Sequence, residues 1–94
     1  MKADQLARVG RVLSVPTRVR IIELLKGRPL CVGALSARLD VTQGAVSQHL
    51  RVLRDCDLVL AEKKGNFVHY QLNARTLAKW KTMTGRFLEA AKRG

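Results

Sequence analysis

The stretch LCVGALSARLDVTQGAVSQHLRVLRDCDLV, Leu30 to Val59, decides how this chain folds. Val32, Leu35 and Leu39 fall on one side of a short helix, Asp40 and Val41 make a turn, and Thr42 stands where an N-cap accepts a bond from a free amide. The next helix runs to about Arg54. At about 100° per residue, Val46, Leu50 and Leu53 share one face of it. The other face holds Gln43, Gly44, Ser47, Gln48, Arg51 and Arg54, with nothing apolar among them. Short polar groups, long hydrogen-bonding side chains and a basic pair are what reading base edges and touching phosphates requires.

Upstream, Leu6, Val9 and Leu13 recur at helical spacing over residues 4–14. Val15 before Pro16 ends that helix, because the residue before proline is pushed out of helical φ/ψ. Pro16 suits the first turn of a second helix, which buries Val19, Ile22 and Leu25 and ends near Gly27. Downstream, residues 59–63 and 67–72 alternate as strands, with Val68, Tyr70 and Leu72 on one side and Phe67, His69 and Gln71 on the other. Lys64, Gly65 and Asn66 form the hairpin tip, and Lys63 and Lys64 make it basic. Such a wing can lie along a phosphate backbone or in a minor groove. A last helix, about Arg75 to Lys92, carries Leu77, Trp80, Thr84, Phe87, Leu88 and Ala91 on one broad stripe.

The 94 residues carry a net charge of +11, which favours a polyanionic partner through counterion release. The charge is uneven. Residues 1–35 and 73–94 each carry a net +5, and residues 36–72 only +1, so composition alone does not say which element meets the anion. No repeat, linker or long apolar run divides or anchors the chain, so one domain over residues 1–94 is expected. Asp4 and Arg8 interrupt any secretory signal, which places the protein in the cytoplasm, away from membranes. Two cysteines are too few for a disulfide framework and are expected reduced. His49 and His69 are the only histidines, no nucleophile–base or paired-carboxylate pattern surrounds them, and no glycine-rich phosphate loop precedes a helix; an enzyme is not expected.

The helix order with a hairpin between the last two helices is that of a winged helix-turn-helix. Particular residues sharpen this: PTR at Pro16–Arg18, VSQHLRVL at Val46–Leu53, and G-x-x-V-x-Y at Gly65–Tyr70, in the right order. Over nearly its whole length the chain resembles the ArsR/SmtB family of dimeric transcriptional repressors. The resemblance implies a mainly α fold with a small β-hairpin wing (α+β), order ααααββα, acting on double-stranded DNA. It implies that Gln43, Gly44, Ser47 and Gln48 face the major groove, with Thr42 at the helix start and His49 and Arg51 near the backbone or groove rim. Lys63, Lys64 and Asn66 would be the wing contacts. It further implies a homodimer through the first and last helices, about residues 3–14 and 75–92, using Leu6, Val9 and Leu13 with Leu77, Trp80, Thr84, Phe87 and Leu88. His49, about 60° from Val46 on the helical wheel, suits a structural bond or a phosphate contact better than base reading.

Repressors resembling this family often sense metal ions. Here the Cys-x-Cys pattern is broken, with Cys31 at the first position and Gly33 at the second, and residues 74–94 offer no His and only Glu89. No metal site or cofactor is expected, and the sequence names no small effector. Cys31 and Cys56 read first as small hydrophobes; a thiol sensor built from the pair is the sharper alternative. Functionally, the alternatives to a specific repressor are an architectural protein binding DNA without sequence preference and a winged helix that docks an acidic protein.

Overall fold

The computed structural model describes residues 2–94, and Met1 lies outside the described residues. The elements are α1 (Lys2–Leu13), α2 (Pro16–Leu25), β1 (Leu30–Cys31), α3 (Val32–Leu39), α4 (Gln43–Asp55), β2 (Val59–Lys64), β3 (Phe67–Leu72) and α5 (Ala74–Arg93). All five expected helices and the hairpin are present, with one strand added. β1 pairs antiparallel with β3, Leu30 opposite Tyr70 and Cys31 opposite His69, giving a three-stranded sheet in the order β1-β3-β2. Two residues have no period to read, and what holds β1 is a backbone edge supplied by a distant strand together with burial of Leu30.

The core draws Val12 from α1, Ile21 and Leu25 from α2, Leu35 from α3, Val46, Leu50 and Leu53 from α4, then Leu58 and Val59. Of the stripe expected on α2, Leu25 is buried, Ile22 is half-buried and Val19 is exposed, with Ile21 taking the inner place. Each large apolar side chain taken from water contributes roughly 1.5–3 kcal/mol, so the three from α4 fix which face of that helix turns inward.

Local chemistry sets the ends of the elements. Val15 is extended (φ −107°, ψ 114°) and Pro16 opens α2, as the X-Pro rule requires. Gly27 follows the Lys26 cap without a positive φ, so the helix ends there by other means than a left-handed glycine. Asp40 does adopt the left-handed conformation (φ 55°, ψ 46°) and closes α3. Asp57 (φ 62°) does the same after α4, where the Leu58 N–H bonds Leu53 O and the Asp57 N–H bonds Arg54 O, both at 2.9 Å. That paired pattern satisfies the last carbonyls of the helix and turns Leu58 into the core. Asn73 reinforces the same corner: its backbone N–H bonds Leu58 O (2.8 Å), its side-chain amide bonds Asp57 O (3.0 Å), and its Oδ1 accepts the Arg75 N–H (3.1 Å) to cap α5.

β2 and β3 pair from Val59–Leu72 to Lys64–Phe67, leaving Gly65–Asn66 as a two-residue turn. Only Gly65 has positive φ (61°); Asn66 does not need its tolerance for it. Tyr70 and Leu72 pack on the core as their alternation predicts, whereas Val68, on the same side, lies beyond the edge of the core and is exposed. The molecule measures 50 × 23 × 23 Å with a radius of gyration of 14.6 Å, against about 12 Å for a compact chain of this size. The last ten residues, all exposed, carry α5 away from the body.

Candidate nucleic-acid interface

α3, its turn and α4 form the helix-turn-helix. Ser36 ties the turn from both sides: its carbonyl accepts the Val41 N–H (3.4 Å), and its hydroxyl donates to the Val41 carbonyl. Thr42 caps α4 as expected, its Oγ1 accepting the Ala45 N–H at 3.1 Å. With Val46, Leu50 and Leu53 buried beneath, Gln43, Gly44, Ser47, Gln48, Arg51 and Arg54 are all exposed on the outer side. A methyl group added at Gly44 would meet nothing within 4 Å, so the outer surface at the start of α4 is open.

The wing places Lys63, Lys64 and Asn66 in solvent. Near its tip it also exposes two apolar groups that the sequence reading assigned no role at the site. Phe67, 62% exposed, pairs across the hairpin with Lys64, and Val68 pairs with Lys63, so each face of the tip carries one cation and one apolar side chain. Their signal in the sequence was their nearness to the turn, where alternation outruns the core that would cover it.

His49 is half-buried and its Nδ1 accepts a hydrogen bond from Arg18 Nε at 3.3 Å. Burial, with the Arg18 charge adding to it, holds His49 below the ordinary histidine range, so it is the neutral imidazole at pH 7. Arg18 also reaches the carbonyls of Arg11 and Val12 at the end of α1, at 3.4 Å each.

Three comparisons bear on what this surface belongs to. The family model described as "Bacterial regulatory protein, arsR family" matches residues 15–60, the segment that holds α2, α3 and α4. The chain is 43% identical over 79 residues to the HTH-type transcriptional regulator CmtR of Mycobacterium tuberculosis, covering 84% of this chain and 67% of that one. It is 32% identical over 69 residues to the transcriptional repressor SdpR of Bacillus subtilis, covering 73% and 77%. This chain belongs to the ArsR family. Among solved structures, the homodimeric winged helix-turn-helix DNA-binding domain of Mb0332 from Mycobacterium bovis superposes with a TM-score of 0.74 at 25% identity, covering 93% of this chain and 82% of that domain. The winged helix-turn-helix is therefore the fold of this ArsR-family chain, as expected from the resemblance.

The terminal helices of the ArsR-family chain are only partly covered. A groove of about 1350 Å³ runs between α1 and α5, lined by Leu6, Val9, Trp80, Met83 and Phe87 and rimmed by cations such as Arg86. Of the expected interface residues, Leu13, Phe87 and Leu88 are exposed, and Leu6, Leu77, Trp80 and Thr84 are half-buried. Val9 is buried within the single chain together with Val12, which the sequence reading left out.

The two thiols occupy different surroundings. Cys31 pairs with His69 in the sheet, and the His69 Nδ1 is buried without a hydrogen-bond partner. Cys56 caps α4, donates from Sγ to Leu53 O at 3.4 Å and lines the α1/α5 groove. Burial pushes the Cys56 thiol up, so it is held as the neutral, poorly nucleophilic form. Among the described residues no group of three or more His, Cys, Asp and Glu side chains could hold a metal ion, and no helix is long and apolar enough to cross a membrane.

Proposed function

We propose that residues 1–94 form one DNA-binding unit, a cytoplasmic repressor that binds an inverted repeat as a homodimer and occludes a promoter. The observation that carries this reading is the outer face of α4: Gln43, Gly44, Ser47, Gln48 and Arg51 are free while the opposite face is sealed into the core. In this reading Gln43 and Gln48 read base edges, Arg51 and the wing residues Lys63, Lys64 and Asn66 meet the backbone, and Thr42 orients the helix start. The apolar surface between α1 and α5 is covered by a second copy, setting two reading helices about 34–36 Å apart. That the Mb0332 domain, from a possible ArsR-family regulator, is homodimeric supports the pairing of two copies.

Base readers and phosphate contacts separate in a titration. Gln43→Ala or Gln48→Ala should relax preference at particular base pairs, at about 1–3 kcal/mol each. Lys64→Ala should weaken all duplexes alike and reduce the salt slope by about one. Equal losses on a selected operator and on random duplex for all three variants would contradict the assignment. The second reading, an architectural protein without sequence preference, draws on the weak charge of residues 36–72 against the strongly basic terminal segments. It predicts that bulk DNA competes as well as the operator does. Regulation through Cys31 and Cys56 has the weaker support, since Cys56 is held as a thiol.

A further inference from the structure

Arg18 and His49 stand 31 positions apart in sequence, and Arg18 joins three helices at one guanidinium. Its Nε–H points at His49 Nδ1 on α4, and its Nη1 reaches the carbonyls of Arg11 and Val12 in the last residues of α1. An arginine has no acceptor, so the nitrogen facing it must be the bare one. The proton of a neutral His49 ring then sits on Nε2. That nitrogen makes no hydrogen bond within the described residues and is not among the buried polar atoms left unpaired, so it opens to solvent. His49 lies one residue from Gln48 on a helix whose outer face is free, which sets this N–H at the border between the reading face and the body of the domain.

We propose that Arg18 is a positioning residue for DNA contact: it locks His49 in the Nε2–H tautomer, and His49 donates that N–H to a backbone phosphate. The inference rests on the DNA-binding reading above. It says how His49 would make the backbone contact that the resemblance implies, through which nitrogen and held by what, and gives PTR a purpose beyond opening α2. A neutral donor suits this corner, because the charge that bears on His49 is that of Arg18 of α2, which itself stands among Arg8 and Arg11 of α1 and Asp55 of α4. A second proton on the ring would face Arg18 and break the bond that orients it. The same guanidinium reaches the carbonyls of Val12 and of Arg11, the latter also accepting from the Ser14 N–H and hydroxyl, so the reading helix and a terminal helix share one fastening.

The ring itself reports first. The chain has two histidines, so a two-bond proton–nitrogen correlation on histidine-labelled protein shows two imidazoles, and the His49→Gln spectrum assigns them. Bare Nδ1 and protonated Nε2 are expected for His49, changing to a tautomer mixture in Arg18→Gln. A ring protonated on Nδ1, or one that ignores Arg18→Gln, overturns the proposal without any appeal to DNA.

Binding to an operator duplex selected from a random pool reports second. His49→Phe should lose about tenfold in affinity with an unchanged salt slope, because a neutral donor displaces no counterion. His49→Gln should recover most of that loss through its amide N–H. Arg18→Gln should weaken binding while adding little to His49→Phe in the double variant. Affinity that rises as the pH falls through the histidine range would mean a cationic contact, and His49→Phe binding like the native protein would mean none; either overturns the proposal. If the native chain shows no preference among duplexes, the DNA reading fails instead, and the ring spectrum still decides what Arg18 does to His49.

Discussion

α4 and α5 are both amphipathic helices, and their apolar faces meet different fates. On α4, Val46, Leu50 and Leu53 are fully covered by the rest of the chain. On α5 only Thr76 is buried, while Phe87 and Leu88 remain 53% and 58% exposed. A stripe of apolar residues states that a face needs covering; it does not say by what. α4 is covered from within, which frees its polar face for another molecule. α5 is left with an apolar face toward solvent, which a second copy of the chain would cover.

The contrast breaks most sharply in the core. Leu53→Ala should cost about 3 kcal/mol in urea unfolding, whereas Leu88→Ala, at concentrations where the chain is monomeric, should stay within about 0.5 kcal/mol. Equal losses would mean that α5 is supported within one chain as fully as α4. Placing charge on the α5 face comes next: Phe87→Asp should weaken self-association roughly 100-fold, about 2.7 kcal/mol, with helix content unchanged. Sedimentation across a concentration series measures it, and an unchanged association constant would remove α5 from the interface.

Gly44→Ala sharpens the comparison on the other side. A glycine in the middle of a helix costs roughly 0.5–1 kcal/mol relative to alanine and less in the first turn, where Gly44 stands. The added methyl has open space, so the variant should unfold slightly later than the native protein. Its operator affinity should nevertheless fall, because the space it fills is where the duplex backbone or base edges approach. A variant that gains on both counts would show that α4 keeps its distance from DNA.

Most of the fold was written in local patterns. Thr42 before the Val46–Leu50–Leu53 stripe, Pro16 after Val15, and glycine in a basic two-strand hairpin each carry their own physical reason, and each stands where that reason puts it. Nonlocal features were harder to read. β1 depends on an edge offered by β3 nearly forty positions later, and Leu58 is buried by the way the α4 corner packs, which no period within its own segment announces. Val12, at i+3 from Val9, lay within the helical period and was passed over. The candidate site divides along the same line. Exposure of the α4 face follows from the helix alone, whereas the Arg18–His49 bond joins residues that only the folded chain brings together.

The smallest expected effect concerns that bond. His49 is held below its ordinary value near 6.5, so the unfolded chain takes up the proton first as pH falls. The stability His49 contributes is complete above that value and is lost as pH drops through and below it. Thermal unfolding at about pH 5 compared with neutral pH should therefore show a larger drop for native protein than for His49→Gln. An equal drop would leave the burial of His49, and the Arg18 charge beside it, without energetic weight.

The account turns on the outer face of α4 reading sequence. Its most direct test is the ratio of affinities for a duplex selected from a random pool and for bulk DNA, at one salt concentration near physiological. A ratio of about 10³ or more is predicted; a ratio near one, with both affinities collapsing together as salt rises, would contradict it.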